Sequence, residues 1–250
     1  MSVSLDLATP SYSIAAWGSN CEHSRDVNRE VPLGGATLLK VAAGAGTLKI
    51  VGAERDSIAI DARLCSDSKE QLEHMSVNDE VSGDTLEIET RFSQGGFRKK
   101  SWQSAAIDLT LTVTNSIAMD VADSSGAAQL DGLLSLVMVD SSGELTIKNI
   151  TGDVDVTDSS GALTIKNVKG SVAVTDSSGS IDVKNVVNDL LVRVDSSGGI
   201  DASNIGGDVL VKRDSSGAIE VEDVAGDFRV AKDSSGGIRY NNVGGKVSLP

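Results

Sequence analysis

From about residue 117 to the end of the chain, apolar and polar residues alternate in short runs, and the runs repeat. Alternation with a period of two predicts strands with one buried face. One unit reads GELTIKNITGDVDVTDSS and the next GALTIKNVKGSVAVTDSS. The same apolar columns recur through successive units. The first strand gives Leu145, Leu163, Ile181, Ile200, Ile219 and Ile238, then two residues on Ile147, Ile165, Val183, Ala202, Val221 and Tyr240. The second gives Val154, Val172, Leu190, Val209, Phe228 and Val247, with Val156, Val174, Val192, Val211, Val230 and Leu249 beside them. A unit this short cannot bury its own apolar face, but stacked on its neighbours it buries a continuous one. The pattern predicts an all-β chain folded as a single-stranded β-helix, or β-solenoid, with about 18–19 residues per coil and a rise of about 4.8 Å. Helical repeats need roughly 30–45 residues per unit, so the period excludes them. A propeller blade needs about 40 with four strands, so two units per blade is the alternative, disfavoured by the lack of aromatic blade motifs.

Two kinds of corner punctuate the coils. The tetrapeptide DSSG begins at Asp123, Asp140, Asp158, Asp176, Asp195, Asp214 and Asp233, with spacings of 17, 18, 18, 19, 19 and 19. The extra residue of the longer units falls just before the Asp, at Val194, Arg213 and Lys232. Asp at the first position and Gly at the fourth suit a type I turn. The other corner carries Asn149, Asn167, Asn185, Asn204, Asp223 and Asn242, followed three residues later by Gly152, Gly170, Gly207, Gly226 and Gly245, with Asn188 in the one gap. Both columns read as residues that accept positive φ cheaply.

The chain divides into an N-terminal extension (1–29), irregular β coils that start and cap the solenoid (30–120), and the regular DSSG repeats (121–250). In the irregular part, TLLKVAAGAGTLKIVG, SIAIDARL, DTLEIETRF and AAIDLTLTV alternate like strands, and SKEQLEHMSV reads as a short helix or a loop.

Composition refines this picture. Aromatics make up 3% of the chain, so the core is built from Val, Ile, Leu and Ala in thin repeated layers. A formal net charge of -14 disfavours nucleic acid and anionic membranes as partners. No segment approaches the roughly 18 continuous apolar residues of a membrane helix. The opening MSVSLDLATPSYSIAAWG lacks the basic and apolar regions of a secretory leader. For Cys21 and Cys65, a disulfide in an exported protein and two buried thiols both fit.

Candidate chemistry is sparse. A nucleophilic serine needs a base, and the only histidines, His23 and His74, lie outside the repeats. No GxSxG elbow occurs. No catalytic residue is therefore assigned. The stacked carboxylates of Asp123, Asp140, Asp158, Asp176, Asp195, Asp214 and Asp233 would stand about 5 Å apart and raise one another's pKa. They could be compensated by hydrogen bonds within the turn, by Arg193, Arg213 and Lys232, or by Ca²⁺, the one cofactor candidate. The turn reading is favoured, since the nonapeptide of calcium-binding β-rolls is missing. A second candidate is RFSQGGFRKKSWQ, which gathers Arg91, Phe92, Phe97, Arg98, Lys99, Lys100 and Trp102. Cations among aromatics suit a sugar, an anionic polymer or a protein partner. The same residues would alternatively fold their rings over the end of the solenoid.

Units of the form SGxIxVxNVxGDVxVxxxSG resemble the bacterial adhesin-like family known as DUF4097, or the head-GIN-like β-solenoids. The resemblance covers about 117–249, and GxLxIxG and DTLEIET are similar to that family's N-terminal part. It implies a right-handed coil, a periplasmic, extracellular or cell-surface location, and no catalytic residue. The cytoplasm is the alternative location. The expected function is a non-enzymatic adhesin or binding scaffold for cell-surface polysaccharide or protein. The alternatives are a self-associating scaffold and a polysaccharide-acting β-helix enzyme.

Overall fold

The computed structural model describes residues 21–92 and 105–250. Before the regular repeats it contains β1 (His23–Pro32), β2 (Leu38–Ala45), β3 (Leu48–Ala53), β4 (Ser57–Ser66), α1 (Lys69–His74), β5 (Ser76–Ser82), β6 (Thr85–Arg91), β7 (Ala105–Thr114), β8 (Ala118–Ser125) and β9 (Ala128–Asp131). Each later unit adds one strand to each of two 11-stranded sheets. Strands from Ser135–Asp140 to Val247–Ser248 extend the sheet that holds β8, and those from Gly143–Ile150 to Ile238–Val243 extend the sheet that holds β9. The chain is a β-solenoid.

Neighbouring coils pair in parallel with identical positions opposite one another. Leu145 faces Leu163, then Ile181, Ile200, Ile219 and Ile238. The aliphatic columns of the repeats are buried, except in the last coil, where Tyr240 and Leu249 are half-exposed. One irregularity accompanies the lengthening of the unit from 18 to 19 residues. Val174 pairs with Val192 and Thr175 with Val194, so the extra residue is Arg193. This corrects the sequence placement at Val194. The extra residue bulges where its long side chain reaches outward to Asp155, at 2.6 Å.

The irregular part is not stacked in chain order. The coil made by β2 and β3 lies between β8–β9 on one side and β6–β7 on the other. Beyond it the pairing turns antiparallel, with β4 on β7, β1 on β4 and β5 on β6. The short helix α1 crosses between β4 and β5. Its first turn is capped by Ser68, whose hydroxyl accepts the Gln71 N–H at 3.3 Å, and it buries Leu72.

The second Gly column has a different purpose from the one its sequence suggests. Gly152, Gly170, Gly207, Gly226 and Gly245 do not take positive φ. They are small because the coils touch there: a Cβ on Gly170 would stand 2.4 Å from the Gly152 carbonyl. The DSSG glycines need both properties. Gly161 has φ +135°, and a Cβ on it would stand 1.6 Å from the Gly143 oxygen.

Gly161→Ala should therefore force two coils apart and cost more than about 3 kcal/mol, while Gly237→Ala, with nothing within 4 Å, should stay within about 0.5 kcal/mol of the parent in urea denaturation.

Candidate functional site

Two ladders run the length of the repeats, one at each corner. At the Asn corner, Asn149, Asn167, Asn185, Asn204, Asp223 and Asn242 all sit in the left-handed region, with φ between 50° and 61°. This agrees with the sequence reading. Their side chains are exposed and point along the axis. Asn149 donates to Asp131 at 2.7 Å, Asn167 to Asn149 at 2.9 Å, Asn185 to Asn167 at 2.9 Å and Asn204 to Asn185 at 3.1 Å. Asp223 has no amide N–H to offer Asn204, and the ladder restarts as Asn242 donates to Asp223 at 2.6 Å. Four residues along, a second exposed series caps the backbone of the next coil. Asp153 accepts the Ser171 N–H, Asp189 that of Asp208, Asp208 that of Asp227, and Asp227 that of Lys246, all at 2.7–2.8 Å.

Beside the Asn ladder lies an open groove of about 550 Å³, lined by Asn185, Val187, Asn204, Gly206, Ala225 and Asn242, among others. A second depression of about 350 Å³ continues it past Asn149, Thr151, Asn167 and Lys169. Val187 stands 60% exposed on its edge. The surface is thus a shallow channel with amides repeating at the coil spacing and small or apolar residues alongside.

The DSSG corner is closed within the turn, as its sequence suggests, by Ser N–H groups that donate to the carboxyls of Asp158, Asp195, Asp214 and Asp233 at 3.1–3.2 Å, but it is also stitched to its neighbours. Its backbone bonds run from coil to coil: Ser141 N–H donates to Asp123 O at 3.1 Å, and Gly143 N–H to Ser160 O at 3.1 Å. From the second copy on, the second serine donates its hydroxyl to a carbonyl of the preceding coil, as Ser160 does to Ser141 O at 3.2 Å and Ser178 to Ser159 O at 3.2 Å. These hydroxyls are engaged in stacking, which leaves them ill suited to act as nucleophiles.

The aspartates of this corner point inward. Asp123, Asp140, Asp158, Asp176, Asp195 and Asp214 are buried, none more than 3% exposed, and stand in register from coil to coil; Asp233 follows, half-buried. Asp158, Asp195 and Asp214 each accept one backbone N–H, from Ser160, Ser197 and Ser216, at 3.1–3.2 Å. Their second oxygens have no partner, and neither oxygen of Asp123, Asp140 or Asp176 has one. Burial, reinforced by the Asp140 charge, pushes Asp123 up to about 7. Burial also raises Asp140, Asp176 and Asp195 to about 6, with help from Asp158 for the first two and from Asp214 and Asp176 for the third. The cations proposed as counterions are elsewhere. Arg193 forms a forked pair with Asp155, and Arg213 and Lys232 are exposed. Among the described residues, no group of three or more His, Cys, Asp or Glu side chains is placed to hold a metal ion.

Of the basic-aromatic segment, Phe97, Arg98, Lys99, Lys100 and Trp102 lie outside the described residues. Phe92 packs against the core, its ring over Gly44, and Arg91 pairs with Glu89 at 2.7 Å. Cys21 and Cys65 form a disulfide, with Cα atoms 5.6 Å apart, that ties the start of β1 to the end of β4. Among the described residues no helix is long and apolar enough to cross a membrane.

No protein-family model matches the chain, and no curated protein matches it in sequence. Solved structures do resemble it. One is described as a putative cell adhesion protein from Clostridium sporogenes, 14% identical, covering 91% of this chain and 99% of that one, with a TM-score of 0.33. A putative lipid binding protein from Parabacteroides distasonis is 14% identical, with 90% and 96% covered and a TM-score of 0.47. A putative adhesin from Bacteroides fragilis is 13% identical, with 90% and 97% covered and a TM-score of 0.34.

The Asn ladder can be tested apart from the backbone strain it tolerates. Asn167→Ala should cost about 2–3 kcal/mol, from left-handed strain plus lost amide bonds. Asn167→Gly should recover about 1 kcal/mol of that, with urea midpoints as the measure. Cys65→Ser should lower stability by about 2–4 kcal/mol, and reductant should lower the parent to the same level.

Proposed function

We propose that this chain is a non-enzymatic binding scaffold of the bacterial exterior, an adhesin-like rod whose ligand is a cell-surface polysaccharide laid along the Asn corner. The observation that carries this reading is the groove beside the Asn149–Asn204 ladder, where an exposed amide recurs in four successive coils next to small and apolar residues, with the Asp223 carboxylate and then Asn242 continuing the row. A row of equivalent donors and acceptors at about 4.8 Å suits a polymer whose own groups repeat, because many weak contacts sum along the chain. The disulfide supports an oxidising location, periplasmic or extracellular. Short corners that repeat almost unchanged favour a rod over a catalytic cleft.

A strip on the other sheet favours a second reading, self-association. Val137 and Val139 are 50% and 46% exposed, and Val137 faces outward beside Asp155. Further along that face, Ala173, Leu191 and Leu210 pair in sequence.

A glycan array probed with the full chain separates these readings. The first expects retention on one class of polysaccharide, with Val187→Arg lowering binding at least tenfold and leaving the melting temperature unchanged. Absence of any retained glycan, or equal binding by the variant, would count against the groove. Light scattering that grows with concentration and is suppressed by Val137→Lys would favour the scaffold instead.

A further inference from the structure

The aspartate column inside the solenoid poses a problem that its neighbours do not solve. Among the described residues the buried charged groups are these aspartates alone, so no cation shares the interior with them. The nearest charged groups on the same strands, Asp120 and Asp155, face the outer surface, the latter paired with Arg193. Glu144, Arg213 and Lys232, next to the corner, are exposed. On the opposite sheet Lys148, Lys166, Asp182 and Lys184 project outward, Lys166 and Lys184 being paired to Asp182 at 3.4 and 3.0 Å. At the N-terminal end of the column the residue opposite Asp123 is Ala43, and the nearby Gly44 N–H is taken by buried Thr90. A row of bare carboxylates buried among valines, with oxygens left without donors, would be strongly unfavourable.

The opposite corner shows the solution in amide form. There, planar side chains of the same length as aspartate span the same coil spacing with hydrogen bonds of 2.9 Å. A protonated aspartate has the same layout as asparagine, with one donor and one acceptor to pass along the row. We propose that Asp123, Asp140, Asp158, Asp176, Asp195 and Asp214 form a proton-sharing carboxyl ladder, in which the O–H of one coil donates to the carboxyl oxygen of the next, so that the solenoid is stabilised by acid. Ser N–H groups of the turn lie beside Asp123, Asp140 and Asp176 and favour their charged form, less strongly than burial opposes it, but each step along the row still requires a donor from one carboxyl to the next, and the unpartnered oxygens of these three are where it is missing. The upward displacement of Asp123 to about 7, and of Asp140, Asp176 and Asp195 to about 6, has the direction this arrangement demands.

The sign follows from linkage. In the unfolded chain these groups release their protons near 3.8, whereas in the fold Asp123 holds its proton to about 7 and Asp140, Asp176 and Asp195 to about 6, with burial raising Asp158 and Asp214 in the same direction. The folded state therefore binds more protons between those limits, and its added stability is complete below pH 4 and lost as pH rises through 6–7. Each proton held in the fold and not in the unfolded chain shifts the unfolding constant tenfold per pH unit. A rod built this way is firmest in mildly acidic surroundings.

The test is equilibrium denaturation of the full chain from pH 5 to pH 8, disulfide intact, in parent, Asp140→Asn/Asp176→Asn and Asp201→Asn/Glu222→Gln. The last pair removes two exposed charges and controls for the overall repulsion of an acidic protein. The expected result is a parent whose unfolding constant rises at least tenfold per pH unit between pH 6 and 7. The column variant should be flatter and more stable at pH 8, and the surface variant should keep the parental slope. A parent that is flat or gains stability with pH overturns the proposal, as does a column variant with the parental slope. Millimolar Ca²⁺ that raises the pH 8 midpoint of the parent and not of the column variant also overturns it, since a cation would then fill the row. Should the column variant fail to fold, the parent alone decides. Its infrared spectrum at pH 5.5, where exposed carboxyl groups are ionised, should show the carbonyl stretch of protonated carboxyl groups, and a spectrum of carboxylates only refutes the ladder.

Discussion

Every position of a repeat must tolerate a copy of itself about one strand spacing above and below. That constraint governs the molecule. Aliphatic columns satisfy it at once, since branched side chains stacked in register fill a thin core without aromatics. Polar columns satisfy it when the side chain finds a hydrogen-bond partner on the next coil. Asparagine does so at one corner, and the second serine of DSSG does so at the other by donating to a carbonyl of the coil before it. Glycine meets the constraint by having nothing to collide, as at Gly161 and Gly170. The DSSG aspartates, stacked carboxyl on carboxyl, meet it least well while ionised, and theirs is the least solvated polar column of all.

Much of this was legible before the structure. The period, the two strands per unit, the aliphatic columns of both strands and the positions of both corners follow from alternation and repetition, which report side-chain direction directly. The left-handed asparagines were legible because few other residues tolerate that backbone. The order of the first coils was not. Alternation looks alike in parallel and antiparallel strands, so nothing in TLLKVAAGAGTLKIVG shows that its coil is enclosed by strands some fifty to eighty residues further on.

The direction of the aspartates was half legible. In Val154, Val156, Asp158 and in Val172, Val174, Asp176 the acid continues the parity of the buried valines, which is a plain sign that it points inward. Preference for Asp at the start of a turn masked that sign. In the 19-residue units the parity breaks, and only the bulge at Arg193 returns Asp195 to the interior. A bulge is a property of pairing between two strands and leaves no mark in either strand alone. The second Gly column misled for a related reason. Glycine is demanded both by unusual backbone angles and by close approach, and one sequence cannot separate the two.

The enclosed coil of β2 and β3 gives the molecule a direction. Both of its edges are occupied, one by the antiparallel end and one by the first of the regular coils. The antiparallel end needs the chain to return from β6 and β7, so contacts of long sequence separation close there, and such contacts are slow to form. The DSSG coils need only the coil before them. The N-terminal part is thus a template that must be assembled once, after which the rod lengthens by local additions. Gain or loss of whole units by duplication or deletion can then change the reach of the rod while leaving its foundation untouched.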